Sequence, residues 1–105
     1  MVSKDFFKKT RILDGGMGQE LLARGMKSNS TLWSANAILD ENYHQLVLDT
    51  HVDFIKAGAE IIVTTTFATR QKRLKENNLI DKFEYLNQKA GEIAQTAKKN
   101  FANTY

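Results

Sequence analysis

The sequence predicts an α/β fold that opens with two short parallel strands, as at the start of an α/β barrel. Three observations carry this expectation. A short apolar run, Ile12-Leu13, ends at Asp14 and breaks into the glycine-rich turn Gly15-Gly16-Met17-Gly18. A second strand, Glu60 to Val63 with the apolar run Ile61-Ile62-Val63, ends in the hydroxyl cluster Thr64-Thr65-Thr66. Helical patterns lie between and after these runs, and such alternation implies right-handed crossovers and a parallel sheet.

Taken in order, residues 5–9 predict a helical turn whose Phe6 and Phe7 need cover. Residues 11–13 form the first strand. A helix follows from Met17 or Gly18 to Arg24 and stops at Gly25, which accepts positive φ as a C′ residue. Residues 27–35 read as a loop carrying the apolar Leu32, Trp33 and Ala35. Asp40 is an N-cap for a helix over 40–57, with Glu41 in the first turn and Gly58 closing it. Tyr43, Leu46, Val47, Thr50, Phe54 and Ala57 give that helix one face. Ile61, Ile62 and Val63 leave the second strand no polar side, the pattern of a strand buried on both faces. A short helix carries Arg70, Lys72, Arg73 and Lys75. The longest helix, 81–102, has the stripe Phe83, Leu86, Ala90, Ile93, Ala94, Ala97 and Phe101.

A chain of 105 residues with 42% apolar and 26% charged residues is of globular composition and makes one domain or less. It has no cysteine, which excludes disulfides and any thiolate metal site within it and fits a reducing, cytoplasmic compartment. Lys4, Lys8 and Lys9 are not followed by a long apolar run, so neither a secretory signal nor a membrane span is expected. The net charge of +3 comes from 15 basic and 12 acidic residues spread along the chain, a solvated surface and no nucleic-acid footprint. Two strands leave both sheet edges unpaired. The chain therefore reads as a fragment prone to self-association through those edges.

The candidate site residues each have a plain alternative. Asp14 can anchor an ammonium group beside the amides of Gly15 to Gly18, or these residues can simply make a turn. The string lacks the glycine spacing of dinucleotide sites and the lysine of a P-loop. Thr64, Thr65 and Thr66 lie where parallel folds place ligands, but threonine is also a good strand residue. His44 and His51 are roughly 10 Å apart along one helix, too far to share a metal, and suit packing or hydrogen bonding. Trp33 can line a pocket or plug the core. The basic run from Arg70 to Lys75 suits a solvated face.

Taken together, residues 12–21, 32–35, 51–62 and 64–69 occur in an order and spacing that resemble the amino-terminal third of the homocysteine S-methyltransferase family. The resemblance implies a (β/α)8 TIM barrel, of which residues 1–105 are the N-terminal part, with about two parallel strands and their helices. It implies methyl transfer from a small donor to the homocysteine thiol, giving methionine, at a zinc ion that makes the thiol a thiolate. Carried over by position, Asp14 binds the substrate amino group, Gly15, Gly16 and Met17 shape the loop, and Thr64 and Thr66 close the pocket. Trp33 falls on the donor side, as in relatives that use betaine.

Two departures follow. The zinc ligands of the family are cysteines on late strands, which this sequence does not contain, so no catalytic residue and no metal ligand is expected here. Thr65 stands where the family often has asparagine. S-Methylmethionine, betaine and methylcobalamin are equally compatible donors. The chain alone is expected to be inactive; the alternative reading is a non-catalytic fragment or a subunit that needs another chain.

Overall fold

A computed structural model describes residues 4–27, 32–67, 69–99 and 101. Among the described residues, five α-helices carry the fold: α1 (Met17–Ala23), α2 (Asn36–Leu39), α3 (His44–Lys56), α4 (Gln71–Glu76) and α5 (Phe83–Lys98). Turns of 3-10 helix precede them at Lys4–Lys8, Trp33–Ala35, Glu41–Tyr43 and Ile80–Lys82.

The expected sheet is absent from the described residues. The two apolar runs meet at a single parallel bridge, Leu13 opposite Ile61, and neither reaches the length of a strand. This corrects the α/β barrel expectation: the described fold is predominantly helical. The physical reason lies in cover. A parallel pair is stable when further strands flank it and helices bury both faces. Here Ile12, Leu13 and Val63 remain 57, 58 and 55% exposed, so the run expected to be buried on both sides is open.

The helices form where caps and periodicity place them. Asp40 accepts a hydrogen bond from the Asn42 amide at 2.9 Å, opening the 3-10 turn that leads into α3. Gly25 and Gly58 take φ of 105° and 119° just beyond α1 and α3, a region costly for side-chain-bearing residues. Arg24 joins these two helices, reaching Glu20 at 3.0 Å and Asp53 at 2.8 Å.

The core is the seam between α3 and α5, with α1 and α2 packed onto it. Leu86, Ala90 and Ile93 of α5 bury against the same cluster as Val47 of α3, Leu21 of α1 and Ile38 of α2. Met26, Ala37 and Leu74 complete it. Each fully buried leucine or isoleucine contributes about 1.5–3 kcal/mol over its exposed state, so this seam dominates stability.

Three local expectations change. Residues 33–39, read partly as loop, are helical. The buried face of α3 includes His51 and Ile55, whereas Ala57 is exposed. The last helix ends at Lys98, and residue 102 lies outside the described residues. Among the described residues, no helix is long and apolar enough to cross a membrane.

Candidate functional site

The bridge brings the ends of two extended segments side by side. The Glu60 amide donates to the Ile12 carbonyl at 2.8 Å, and the Asp14 amide to the Ile61 carbonyl at 3.0 Å. One residue further, the main-chain ladder stops and a side chain takes over. Oδ2 of Asp14 accepts from the Val63 amide at 3.0 Å. Its Oδ1 makes no hydrogen bond among the described residues. At the other end of the pair, Arg11 meets Glu60 at 2.8 Å and lies 3.9 Å over the Phe6 ring. Two contacts across the segments thus flank a short pairing and hold Asp14 opposite Val63 and Thr64.

Past that point the chain opens into a cleft of about 530 Å³. Asp14, Gly15, Gly16 and Met17 form one wall, and Val63, Thr64 and Thr65 another. Leu22 and Met26 add apolar surface, and Trp33, Ser34 and Phe67 edge it. Thr66 does not line the cleft, but its hydroxyl lies 3.0 Å from that of Thr64. The Gly15-Gly16 turn runs hard against α3: a Cβ at Gly15 would sit 2.8 Å from Cε1 of Phe54.

The hydroxyl cluster does not continue as a strand. The Thr66 amide donates to the Thr64 carbonyl at 2.8 Å, a three-residue turn centred on Thr65. This turn tucks Thr65 inward until it is 4% exposed, and its Oγ1 has no hydrogen-bond partner. Alternation along a strand, which groups Thr64 with Thr66, gives no sign of this.

Trp33 is half-exposed and sits at φ 53°, a conformation rarely adopted by a bulky residue. Its ring stacks on Phe67 with centroids 6.3 Å apart and planes 25° from parallel. The Arg73 guanidinium lies 4.8 Å from the Trp33 ring and that of Arg70 lies 5.2 Å from the Phe67 ring. Part of the basic run therefore serves the aromatic rim, where cation–π attraction favours it. Lys72 and Lys75 stay exposed as expected. The sequence carries no sign of the Arg70 and Arg73 contacts, because their aromatic partners are distant in sequence or separated by a turn.

The histidines do not converge on the cleft. Nε2 of His44 lies 2.6 Å from the Ile38 carbonyl. His51 is fully buried with neither ring nitrogen hydrogen-bonded, and burial pushes its pKa below the ordinary histidine value while the Asp14 charge pulls it back. Among the described residues, no three His, Cys, Asp or Glu side chains are placed to hold a metal ion. With no cysteine in the sequence, the thiolate zinc site implied by the resemblance does not fit this chain.

With fold and cleft in view, comparison with known proteins gives the class. The chain belongs to the homocysteine S-methyltransferase family, whose profile matches residues 11–104. Among its relatives, homocysteine S-methyltransferase 2 of Saccharomyces cerevisiae is 38% identical over 81 residues, covering 70% of this chain and 25% of that protein. Homocysteine S-methyltransferase 2 of Zea mays is 37% identical over 91 residues, 86% of this chain and 26% of that protein. A selenocysteine Se-methyltransferase of Brassica oleracea is 35% identical over 102 residues, 93% of this chain and 29% of that protein. The chain thus spans between a quarter and three-tenths of the length of these relatives. No solved structure matches the chain.

Proposed function

We propose that this chain supplies the amino-acid-binding part of a homocysteine S-methyltransferase, which transfers a methyl group to the homocysteine sulfur and yields methionine. The observation that carries the reading is the cleft, where the free Asp14 oxygen and the glycine turn face the hydroxyl segment within one cavity. A carboxylate with one oxygen fixed by a main-chain amide and the other free is suited to an ammonium group. Apolar Leu22 and Met26 beside it suit a thioalkyl side chain. Gly15, Gly16 and Met17 shape the loop, Thr64 closes the wall with Thr66 supporting it through the contact between their hydroxyls, and Trp33 lies on the donor side. The Brassica relative is named for selenocysteine, an amino acid that likewise carries a chalcogen nucleophile on a short side chain, so selenocysteine is a second candidate. The protein works in the cytoplasm on free amino acid and a small methyl donor.

A second reading has its own support. Activation of the thiol in the family uses zinc, and the donor set for zinc does not fit this chain, so by itself it binds without turning over. One experiment separates the two. The purified 105-residue chain is titrated with L-homocysteine by calorimetry and assayed for methionine with S-methylmethionine, betaine and methylcobalamin as donors. Saturable binding without methionine formation supports the binding role alone. Turnover by a clean preparation overturns the second reading, and absence of both binding and turnover overturns the first.

A further inference from the structure

Of the three threonines, Thr65 has the most demanding placement. The Thr64 hydroxyl is engaged with that of Thr66. Thr65 lines the cleft, and its hydroxyl is buried just behind that surface and bonds to nothing. A buried hydroxyl left unpaired is destabilising, and native structures rarely retain one without a use. The turn at Thr65 aggravates this by drawing the residue inward.

Building on the amino-acid reading above, we infer that Thr65 is a ligand-binding and specificity-determining residue, whose Oγ1–H donates a hydrogen bond to the carboxylate of the amino acid in the cleft. The assignment follows from charge. An amino acid presents one cation and one anion a single carbon apart. Asp14 is an acceptor-only group and takes the cation, so the anion needs a donor on the cleft wall. The hydroxyl of Thr65 can donate, has no competing partner, and lies in a sparsely hydrated setting where a bond to a charged acceptor is strong. In the ligand-free protein the unpaired hydroxyl weakens the fold, and on binding that same group contributes affinity.

The test uses the full chain, calorimetry and thermal unfolding. Its probes are L-homocysteine, 3-aminopropane-1-thiol, which lacks the carboxylate, and 4-mercaptobutanoate, which lacks the ammonium. Thr65→Val keeps shape and removes the hydroxyl. It should weaken L-homocysteine and 4-mercaptobutanoate by about tenfold or more, as expected for a hydrogen bond to a charged group. It should leave 3-aminopropane-1-thiol within twofold and the unliganded Tm equal or higher. Thr65→Ser should bind L-homocysteine nearly as the parent does. Equal losses for all three probes, a penalty that follows the ammonium, or unchanged L-homocysteine affinity in Thr65→Val would each overturn the inference alone. So would loss of cooperative unfolding in Thr65→Val, since that makes the hydroxyl structural. A parent chain that binds none of the probes overturns both this inference and the reading beneath it.

Discussion

Two parts of this molecule treat their apolar side chains in opposite ways. In the α3–α5 seam, Leu86, Ala90 and Val47 are wholly shielded from water by neighbouring helices. In the paired segments around Leu13 and Ile61, equally apolar residues stand open, and what holds the backbone is a bridge, one carboxylate and one ion pair. Burial fixes the first region and a few directed polar contacts fix the second. Stability should therefore reside in the helices, and the ligand cleft should lie at the border where packing gives way.

Removing core volume should give the largest effect. Leu86→Ala is expected to cost about 2–5 kcal/mol in denaturant unfolding, the range for a large-to-small change in a closed core. Leu13→Ala, at an exposed site, should cost under about 1 kcal/mol. Equal losses at both positions would erase the distinction between the regions.

Crowding the boundary comes next. Gly15→Ala forces a Cβ towards the Phe54 ring and should destabilise by about 1–3 kcal/mol, as overpacking generally does. Combining it with Phe54→Leu should recover part of that loss, giving a favourable coupling in a double-mutant cycle. Strictly additive losses would mean that the turn and α3 do not press on each other.

Acid should separate the regions more gently. His51 is held below the ordinary histidine range by burial, so the unfolded chain binds its proton more readily than the folded one. Its contribution is complete above about pH 6.5 and is lost as pH falls below that value towards the folded pKa. Stability against pH should decline in that window, and His51→Leu should flatten the decline. Glu60, lowered first by the hydrogen bond from Arg11 and then by the Ile12 amide, adds a further loss at more acidic pH, as its carboxylate protonates. An unchanged slope in His51→Leu would remove histidine from the account.

The smallest change in stability is expected from Leu13→Lys, within about 0.5 kcal/mol for an exposed position. The exposed apolar group around Ile12, Leu13 and Val63 should nevertheless drive self-association of the parent chain, and the added charge should reduce it. Sedimentation at several concentrations checks this, and a parent chain that stays monomeric would contradict it.

The helices were legible because their signals are local. Asp40, Gly25 and Gly58 mark ends, and the stripe from Phe83 to Ala97 marks a face that the core does use. The sheet was misread because β-branched residues such as Ile61 and Ile62 state a preference that only neighbouring strands can realise. Residues 33–39 were misread in part because a 3-10 turn followed by a four-residue helix is too short to show periodicity. Around the cleft, Asp14 and Thr64 could be placed near each other because each follows an apolar run. The inward Thr65 could not, since a turn of three residues cancels the alternation on which strand reasoning depends.

Asn87 of α5 gives the cleft a property of time as well as shape. Its amide nitrogen donates to the carbonyls of Thr69 at 3.1 Å and Phe83 at 2.8 Å, while its oxygen accepts from the Thr69 hydroxyl at 2.8 Å. One side chain thus latches the far end of the threonine segment to α5, which contributes Leu86, Ala90 and Ile93 to the core. Local opening of this wall would have to break the Asn87 hydrogen bonds, an event that can occur without melting the core. Proteases and solvent deuterium would meet the segment through that opening, and a bound ligand touching Thr65 would slow both by holding the latch shut from the other side.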